Sequence, residues 1–318
     1  MGNTKGWHKV RMKNKMHVLL VKGGYGSERE VSLKSADICA KTLRKANFKV
    51  TEFDIATMKI VDLVNIKADV CFNALHGDIG ENGSLQGFLN LIKLPYTHSG
   101  VEASAIAMNK IHFKRIITNA TENTSDPICF PETLKLTPEG KLHNKEFSDP
   151  YIIKPIKGGS SVGVKIIKDP MKESSLTLNC KELMAEIYVG SKELTVTVLK
   201  DKPLCVTEIV AQKNEAFYNY NAKYEKNGSL HRIPAKIPTN IYEQSMSWAL
   251  KAHDIIGCKG ISRSDFRYDH KNKQLYLLEL NTQPGMTETS LSPEQALYCG
   301  INFEEMVTTL IEEADYEC

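Results

Sequence analysis

Two apolar runs late in the chain each carry a pair of polar residues spaced two apart: Arg263 and Asp265 in residues 261–268, then Glu279 and Asn281 in the run LYLLELN that begins at Leu275. Side chains at i and i+2 of a strand project from one face, so each pair shares a face. Residues 269–273 between the runs are polar, turn-prone and short enough for a hairpin. A turn centred on Asn272 sets Asp265 opposite Glu279 and Arg263 opposite Asn281, and sends Phe266, Leu278 and Leu280 to the other face for burial. Two carboxylates directly opposed on a sheet repel. A hard divalent cation between them reverses the sign, and carboxylate and amide oxygens are ligands that Mg²⁺ accepts. An ordinary hairpin with a solvated charged face is the alternative. The paired spacing and the rigid Pro284-Gly285 turn that follows favour the metal site.

The 318 residues are 42% hydrophobic and 25% charged, a balance that fits a globular chain of two or three domains. Five of the 41 basic residues fall in the first fifteen positions, which hold no acid; the remaining 36 against 38 acids leave the body at −2. Charge therefore gives no argument for nucleic acid. Residues 1–15 have no apolar h-region and read as a disordered extension or an over-called start, with Met16 opening the fold; a tail for an anionic partner is the other reading. No apolar run approaches membrane length. The eight cysteines include no C-x-x-C pair, Cys71 and Cys205 lie in apolar runs, and the usage suits a reducing cytosol.

Val18 to Val21 reads as a buried parallel strand, followed by Gly23-Gly24-Tyr25-Gly26 and a helix whose apolar face is Ala36, Cys39, Ala40 and Leu43. Ser27 and Glu30 have capping-box spacing, which places Glu28 in the first turn, where a pyrophosphate would have to sit. The G-G-x-G pattern lacks a complete G-x-G-x-x-G. A nicotinamide site is disfavoured, and Glu28 is placed to hold a cationic amine. Residues 68–73 form another strand, followed by a glycine-rich loop at its carboxyl end, where open α/β sheets bind ligands. His76 in this loop shares a sheet edge with Glu28. Leu85, Phe88, Leu89 and Ile92 define the next helix, and a helix is predicted from Ser104 through Asn119 with Lys110 inside it.

Residues 149–155 predict a strand ending near Lys154, and residues 157–164 a glycine- and serine-rich loop with Ser160 and Ser161. Backbone N–H groups and hydroxyls in such a loop suit phosphate oxygens; no Walker A pattern occurs. Glu186 lies within a strand over 183–189 and is buried by pattern. Residues 212–235 are polar and aromatic without periodicity, as in a functional lid. Asn240 with Glu243 is expected to cap a helix that buries Trp248, Ala252 and Ile255 and stops at Gly257. Ser292-Pro293 is expected to start another helix, and a last helix runs to about Glu313.

Taken in order, GGYGSEREVSLKSA, ALHGDIGENGSLQG, Asn109-Lys110, IIKPIKGGSSVGV, FYNYNAKY, CKGISRSDF and LLELNTQPGMTETSL span about residues 16–313, and the chain resembles the D-alanine–D-alanine ligases of the ATP-grasp superfamily. The resemblance implies an N-terminal open parallel α/β domain over 16–103, then two α+β lobes over 104–189 and 190–318 that grip ATP, with the lid at about 212–235. It implies a cytoplasmic enzyme, a homodimer, that uses ATP and two Mg²⁺ ions (or Mn²⁺). One D-alanine carboxylate is phosphorylated; the amine of a second attacks the acyl phosphate, giving a dipeptide for peptidoglycan.

By resemblance Asp265, Glu279 and Asn281 hold the metals. Arg263 steadies the tetrahedral oxyanion and the transferring phosphoryl group. Lys110, Lys154, Ser160, Ser161 and the lid residue Lys223 meet ATP phosphates, while Glu186 and Glu193 meet adenine and ribose. Glu28 binds the first ammonium with His76 nearby, and Ser290 and Leu291 bind the second carboxylate. Ser160 and Tyr224 form with Glu28 a latch for the lid. Ile187 stands where many members have lysine, and Gly158 where some have an acid. A D-alanine–D-lactate ligase is the alternative within the fold; Tyr224 favours the dipeptide. A nucleotide-binding regulator without turnover is opposed by the intact catalytic positions. A dehydrogenase built on Gly23–Gly26 leaves the hairpin unexplained.

Overall fold

Val18, Leu19, Leu20 and Val21 are completely buried, as a continuous apolar run requires when both faces of a parallel strand are covered. The computed structural model describes residues 16–137, 142, 147–159, 163–170, 182–190, 192–211, 229–287 and 289–317, apart from the side chains of Asp78, Ala211 and Ser229. The opening unit is β1 (His17–Lys22), α1 (Arg29–Lys45), β2 (Lys49–Asp54), a 3₁₀ turn (Ile60–Asn65) and β3 (Val70–Asn73), with all three strands parallel in the order β2-β1-β3. α1 buries Ala36, Cys39, Ala40 and Leu43 as the periodicity predicts. It lacks the expected capping box: Glu28 is the N-cap, without a side-chain cap hydrogen bond, and Ser27 lies outside the helix. A tertiary ion pair fixes this end instead. Arg29 grips Asp54 at the end of β2 with two hydrogen bonds of 2.9 and 2.7 Å. That pair packs over the glycine turn, where a Cβ on Gly23 would lie 2.2 Å from Asp54 Oδ1. The turn is thus filled by protein charge, which removes the dinucleotide reading.

The short α2 (Asp78–Glu81) and α3 (Ser84–Leu91) follow, then α4 (Val101–Met108) and α5 (Lys110–Thr121). The single helix expected from Ser104 to Asn119 is therefore two. Asn109 leaves the helical region (ψ 98°), and its side-chain oxygen accepts from Ile111 N and His112 N, capping α5. Local side-chain bonding of this kind is why Asn favours caps over helix interiors.

Two antiparallel sheets follow among the described residues. β4 (Thr133–Leu134), β5 (Tyr151–Pro155), β6 (Lys165–Ile167) and β7 (Leu183–Ile187) lie in the order β4-β7-β5-β6. β8 (Lys192–Leu199), β9 (Lys202–Ala211), β10 (Ser229–Arg232), β11 (Ile261–Asp269) and β12 (Gln274–Asn281) lie in the order β10-β9-β8-β11-β12. α6 (Thr239–Ile256) separates β10 from β11, and α7 (Leu291–Tyr298) and α8 (Phe303–Glu312) end the chain. α6 stops at Gly257 in a left-handed conformation (φ 72°) as expected, but it starts before Asn240, because the Pro238 carbonyl accepts the first N–H groups, from Ile241 and Tyr242. α7 likewise starts early, with Ser290 as N-cap, so Ser292 and Pro293 fall inside its first turn.

Trp248 and Ala252 of α6 pack with β8, β11 and β12 through Val196, Val198, Phe266, Leu275 and Leu277, and with Phe113 and Ile117 of α5. A second core joins elements far apart in sequence. Met306, Val307, Leu310 and Ile311 of α8 pack with Ala36, Cys39 and Leu43 of α1. At about 2 kcal/mol per fully buried aliphatic side chain, α8 is a principal anchor of the first sheet. No described helix is long and apolar enough to cross a membrane.

Candidate active site

The register pairs Arg263 with Asn281 and Asp265 with Glu279, as the spacing predicts. The turn is nevertheless tighter than one centred on Asn272. Asp269 pairs with Gln274 and Tyr268 with Leu275, because the Asp269 carboxylate accepts from Lys271 N and Asn272 N and closes a compact turn. A β-bulge between Asp265 and Phe266 absorbs the difference, so Phe266 pairs with Leu277. One expectation changes. Leu277, not Leu278, enters the core, and half-buried Leu278 lines the cavity beside Glu279.

Two adjoining cavities lie along this wall. One is lined by Lys110, Lys154, Gly158, Glu186 and Leu278, the other by Glu28, His76, Arg263, Asn281, Ser290 and Leu291; Gly159, Glu193, Asp265 and Glu279 border both.

In the first cavity, the break at Asn109 does the positioning. Asn109 bridges Lys157, and Lys110 N donates to Ile156 O at 3.1 Å. The Lys110 side chain then donates to Gly158 O at 2.6 Å and lies 3.5 Å from Glu279 Oε2. Glu186, 3% exposed on β7, is held from both sides, by Lys154 and Lys114 at 2.6 Å each. Burial opposes its charge, but the two ammonium groups more than offset this and hold the carboxyl below its ordinary range. The lining sets Lys110, Lys154 and Arg267 against Glu186, Glu193, Asp265 and Glu279, an acid excess that a divalent cation would offset beside a phosphate-bearing ligand. Glu193 accepts from Arg267 Nη2 at 2.8 Å.

In the second cavity, Glu28 reaches over Gly77 (φ +65°), where a Cβ would lie 2.2 Å from Glu28 Oε2. His76 meets Ser35 through Nε2 at 3.0 Å and faces Glu81 at 3.8 Å. Arg263 forks the Asp265 carboxylate at 2.9 and 2.8 Å, and Thr195 donates to the same Asp265 Oδ1 at 2.6 Å. Ser290 Oγ sits 2.7 Å from Thr287 Oγ1 at the start of α7. The first N–H groups of a helix have no partner within it and attract anions, and Ser290 and Leu291 stand at that end of α7.

Asp265, Glu279 and Asn281 thus share one wall and offer oxygens only. Asn281 Oδ1 accepts from Gln283 N at 2.7 Å, which orients it and leaves a lone pair. This donor set fits Mg²⁺ or Mn²⁺. Ser160, Ser161, Lys223 and Tyr224 lie outside the described residues.

Sequence reasoning missed several groups in or just behind the cavity walls. Lys114 is four residues beyond Lys110, the spacing of one helix face, and Arg267 extends the two-residue alternation of Arg263 and Asp265. Gln283 had no local signal: its amide exchanges hydrogen bonds of 2.6 and 3.0 Å with Asn73 of β3, joining the first sheet to the hairpin.

A sequence-family model described as "D-ala D-ala ligase C-terminus" matches residues 134–312. A D-alanine–D-alanine ligase of Parvibaculum lavamentivorans is 43% identical over 312 residues, 95% of this chain and 99% of that protein. One of Zymomonas mobilis subsp. mobilis is 44% identical over 313 residues, 95% of each chain. Among solved structures, the D-alanine–D-alanine ligase of Bacillus anthracis superposes with a TM-score of 0.77 at 28% identity, covering 94% of this chain and 97% of that one. The structure of that enzyme complexed with ATP has a TM-score of 0.74 at 23% identity, covering 94% and 96%, a likeness of fold.

Proposed function

The chain belongs to the D-alanine–D-alanine ligase family, and from that premise we propose that it joins two D-alanines into D-alanyl-D-alanine with conversion of ATP to ADP and phosphate. One observation carries the reading: the two cavities share Gly159, Glu193, Asp265 and Glu279 as a common border. A nucleotide lying along the cavity of Lys110 and Lys154 then ends where an amino-acid carboxylate lies in the other.

A carboxylate is a poor electrophile, and phosphorylation gives it a leaving group; the protein's task is positioning and charge neutralisation. Lys110 and Lys154 meet the phosphates. Glu186 and Glu193 meet adenine and ribose in this reading, and Glu186, with both oxygens engaged by lysines, also holds Lys154 in place. Mg²⁺ or Mn²⁺ held by Asp265, Glu279 and Asn281 would neutralise phosphate charge when bound. Glu28 takes the ammonium of the first D-alanine, with His76 beside it. Arg263, steadied by Asp265, faces the oxyanion formed when the second amine attacks. Ser290 Oγ and Leu291 N hold the second carboxylate. Ser160, Ser161, Lys223 and Tyr224 carry the phosphate-loop and lid roles in the same reading. A homodimer and a cytoplasmic place in peptidoglycan-precursor synthesis belong to it too.

Purified protein with ATP and Mg²⁺ is expected to release phosphate only when D-alanine is present, with D-alanyl-D-alanine identified by mass. Phosphate release indifferent to amino acid overturns the ligase reading. Equal turnover with D-lactate at neutral pH replaces it by the depsipeptide reaction.

A further inference from the structure

Ser262 precedes Arg263 on β11 and therefore faces the other side of the sheet, away from the catalytic wall. There its buried hydroxyl meets His253 of α6, with Nδ1 and Oγ 2.7 Å apart. His253 is 1% exposed, and its Nε2 is buried and makes no hydrogen bond. That nitrogen faces the turn between β8 and β9, where Asp201 Oδ1 lies 3.5 Å away. The turn is well defined. Lys200 and Asp201 both adopt positive φ (49° and 57°), and Lys200 N donates to Gly260 O at 2.8 Å, pinning the turn against the link from α6 to β11. Asp254, next to His253, adds a third group. Ligand atoms of Asp201, His253 and Asp254 all lie within 4.8 Å of one another.

We propose that His253 Nε2, Asp201 and Asp254 form a site for one divalent transition-metal ion of the zinc or cobalt class, separate from the catalytic cavities. Geometry favours it. Two ligands at about 2.1 Å from a tetrahedral ion stand about 3.4 Å apart, close to the 3.5 Å between His253 Nε2 and Asp201 Oδ1. The orientation of the imidazole favours it as well. When Nδ1–H donates to Ser262, the lone pair lies on Nε2 and points at the carboxylates, the arrangement in which an outer hydrogen bond fixes the tautomer of a ligating histidine. The carbonyl end of α6, three residues beyond at Ile256, adds negative potential. The exposed side of Asp201 leaves room for water as a fourth ligand. A nitrogen ligand separates this site from the all-oxygen set of Asp265, Glu279 and Asn281: imidazole suits zinc and cobalt, whereas Mg²⁺ prefers oxygen. The competing arrangement is a protonated His253 paired with Asp201 and no metal.

The test uses the full chain with Mg²⁺ in excess to hold the oxygen-ligand site, titrated with Co²⁺. Because His253 is buried and its removal threatens folding, the variant is Asp201→Asn with Asp254→Asn, both on the surface. Equilibrium dialysis is expected to show one Co²⁺ per chain that the double variant binds at least about tenfold more weakly, with a tetrahedral Co²⁺ absorption band in the wild type only. Ligase turnover with Mg²⁺ should be the same in both. In ¹⁵N-histidine spectra, the Nε2 resonance of His253 should shift on addition of Zn²⁺. Equal Co²⁺ binding by the two proteins overturns the proposal, as does a His253 resonance that responds to pH and not to Zn²⁺.

Discussion

Gly77 leaves the space that Glu28 fills: a Cβ at position 77 would lie 2.2 Å from Glu28 Oε2. The φ of +65° at Gly77 adds a second reason for glycine, since a left-handed conformation costs an ordinary residue about 1–2 kcal/mol. Gly77→Ala should therefore displace the Glu28 carboxylate while the molecule stays folded. Steady-state kinetics should show the KM for the first D-alanine rising about tenfold or more, with a small drop in melting temperature. Glu28→Gln should give a similar KM change without the stability loss, because a hydrogen bond to a charged group contributes about 1.5–3 kcal/mol. An unchanged KM in both variants would remove Glu28 from the amine site.

Lys114 makes the buried Glu186 charge tolerable together with Lys154. Taking one partner from a buried ion pair costs about 3–5 kcal/mol, and the remaining Lys154 places Lys114→Met near the lower end. Urea denaturation should show that loss, and the KM for ATP should rise as Lys154 shifts. Adding Glu186→Gln should recover much of the stability, since an amide needs no counter-charge. Additive losses in the double variant would show that the two groups act independently.

His98 links stability to pH. Burial, with a smaller contribution from His76, pushes its pKa down from the ordinary 6.5 to about 3. Between those values the unfolded chain binds a proton that the folded chain does not. Its contribution to stability is thus complete above pH 6.5 and declines as pH falls towards about 3, with a limiting slope of ~1.4 kcal/mol per pH unit. The lowered pKa of His253 acts in the same direction. Denaturation at pH 7 and at pH 5 should show a smaller loss for His98→Gln than for the wild type. Equal losses would assign the acid sensitivity to other groups.

The bulge in the hairpin predicts opposite behaviour for two adjacent leucines. Leu277 is fully buried, and Leu277→Ala should cost about 2–5 kcal/mol. Leu278 lines the cavity of Lys110 and Lys154, so Leu278→Ala should cost much less and act mainly on the KM for ATP. The reverse outcome would place the hairpin one residue out of register.

The same pair of leucines marks how far the sequence reaches. The alternation in β11 and β12 was sufficient to oppose Asp265 to Glu279, because a two-residue period is a property of any strand. It could not locate the extra residue, since the turn is set by the Asp269 carboxylate and the compensating bulge leaves no local signature. Helix starts escape the local pattern for a related reason. The start of α1 is set by Arg29 gripping Asp54, 25 residues away, and that of α6 by the Pro238 carbonyl. The break at Asn109 was legible in principle from the capping preference of Asn, and Lys114 from its helical spacing to Lys110. The link between Gln283 and Asn73 was not, because 210 residues separate the two.

The seating of α8 on α1 orders events during synthesis. Residues 303–312 leave the ribosome long after residues 29–45, and until they do, the apolar stripe of Ala36, Cys39 and Leu43 lacks its cover. The core beneath the first sheet is therefore closed only when a segment some two hundred and fifty residues downstream arrives.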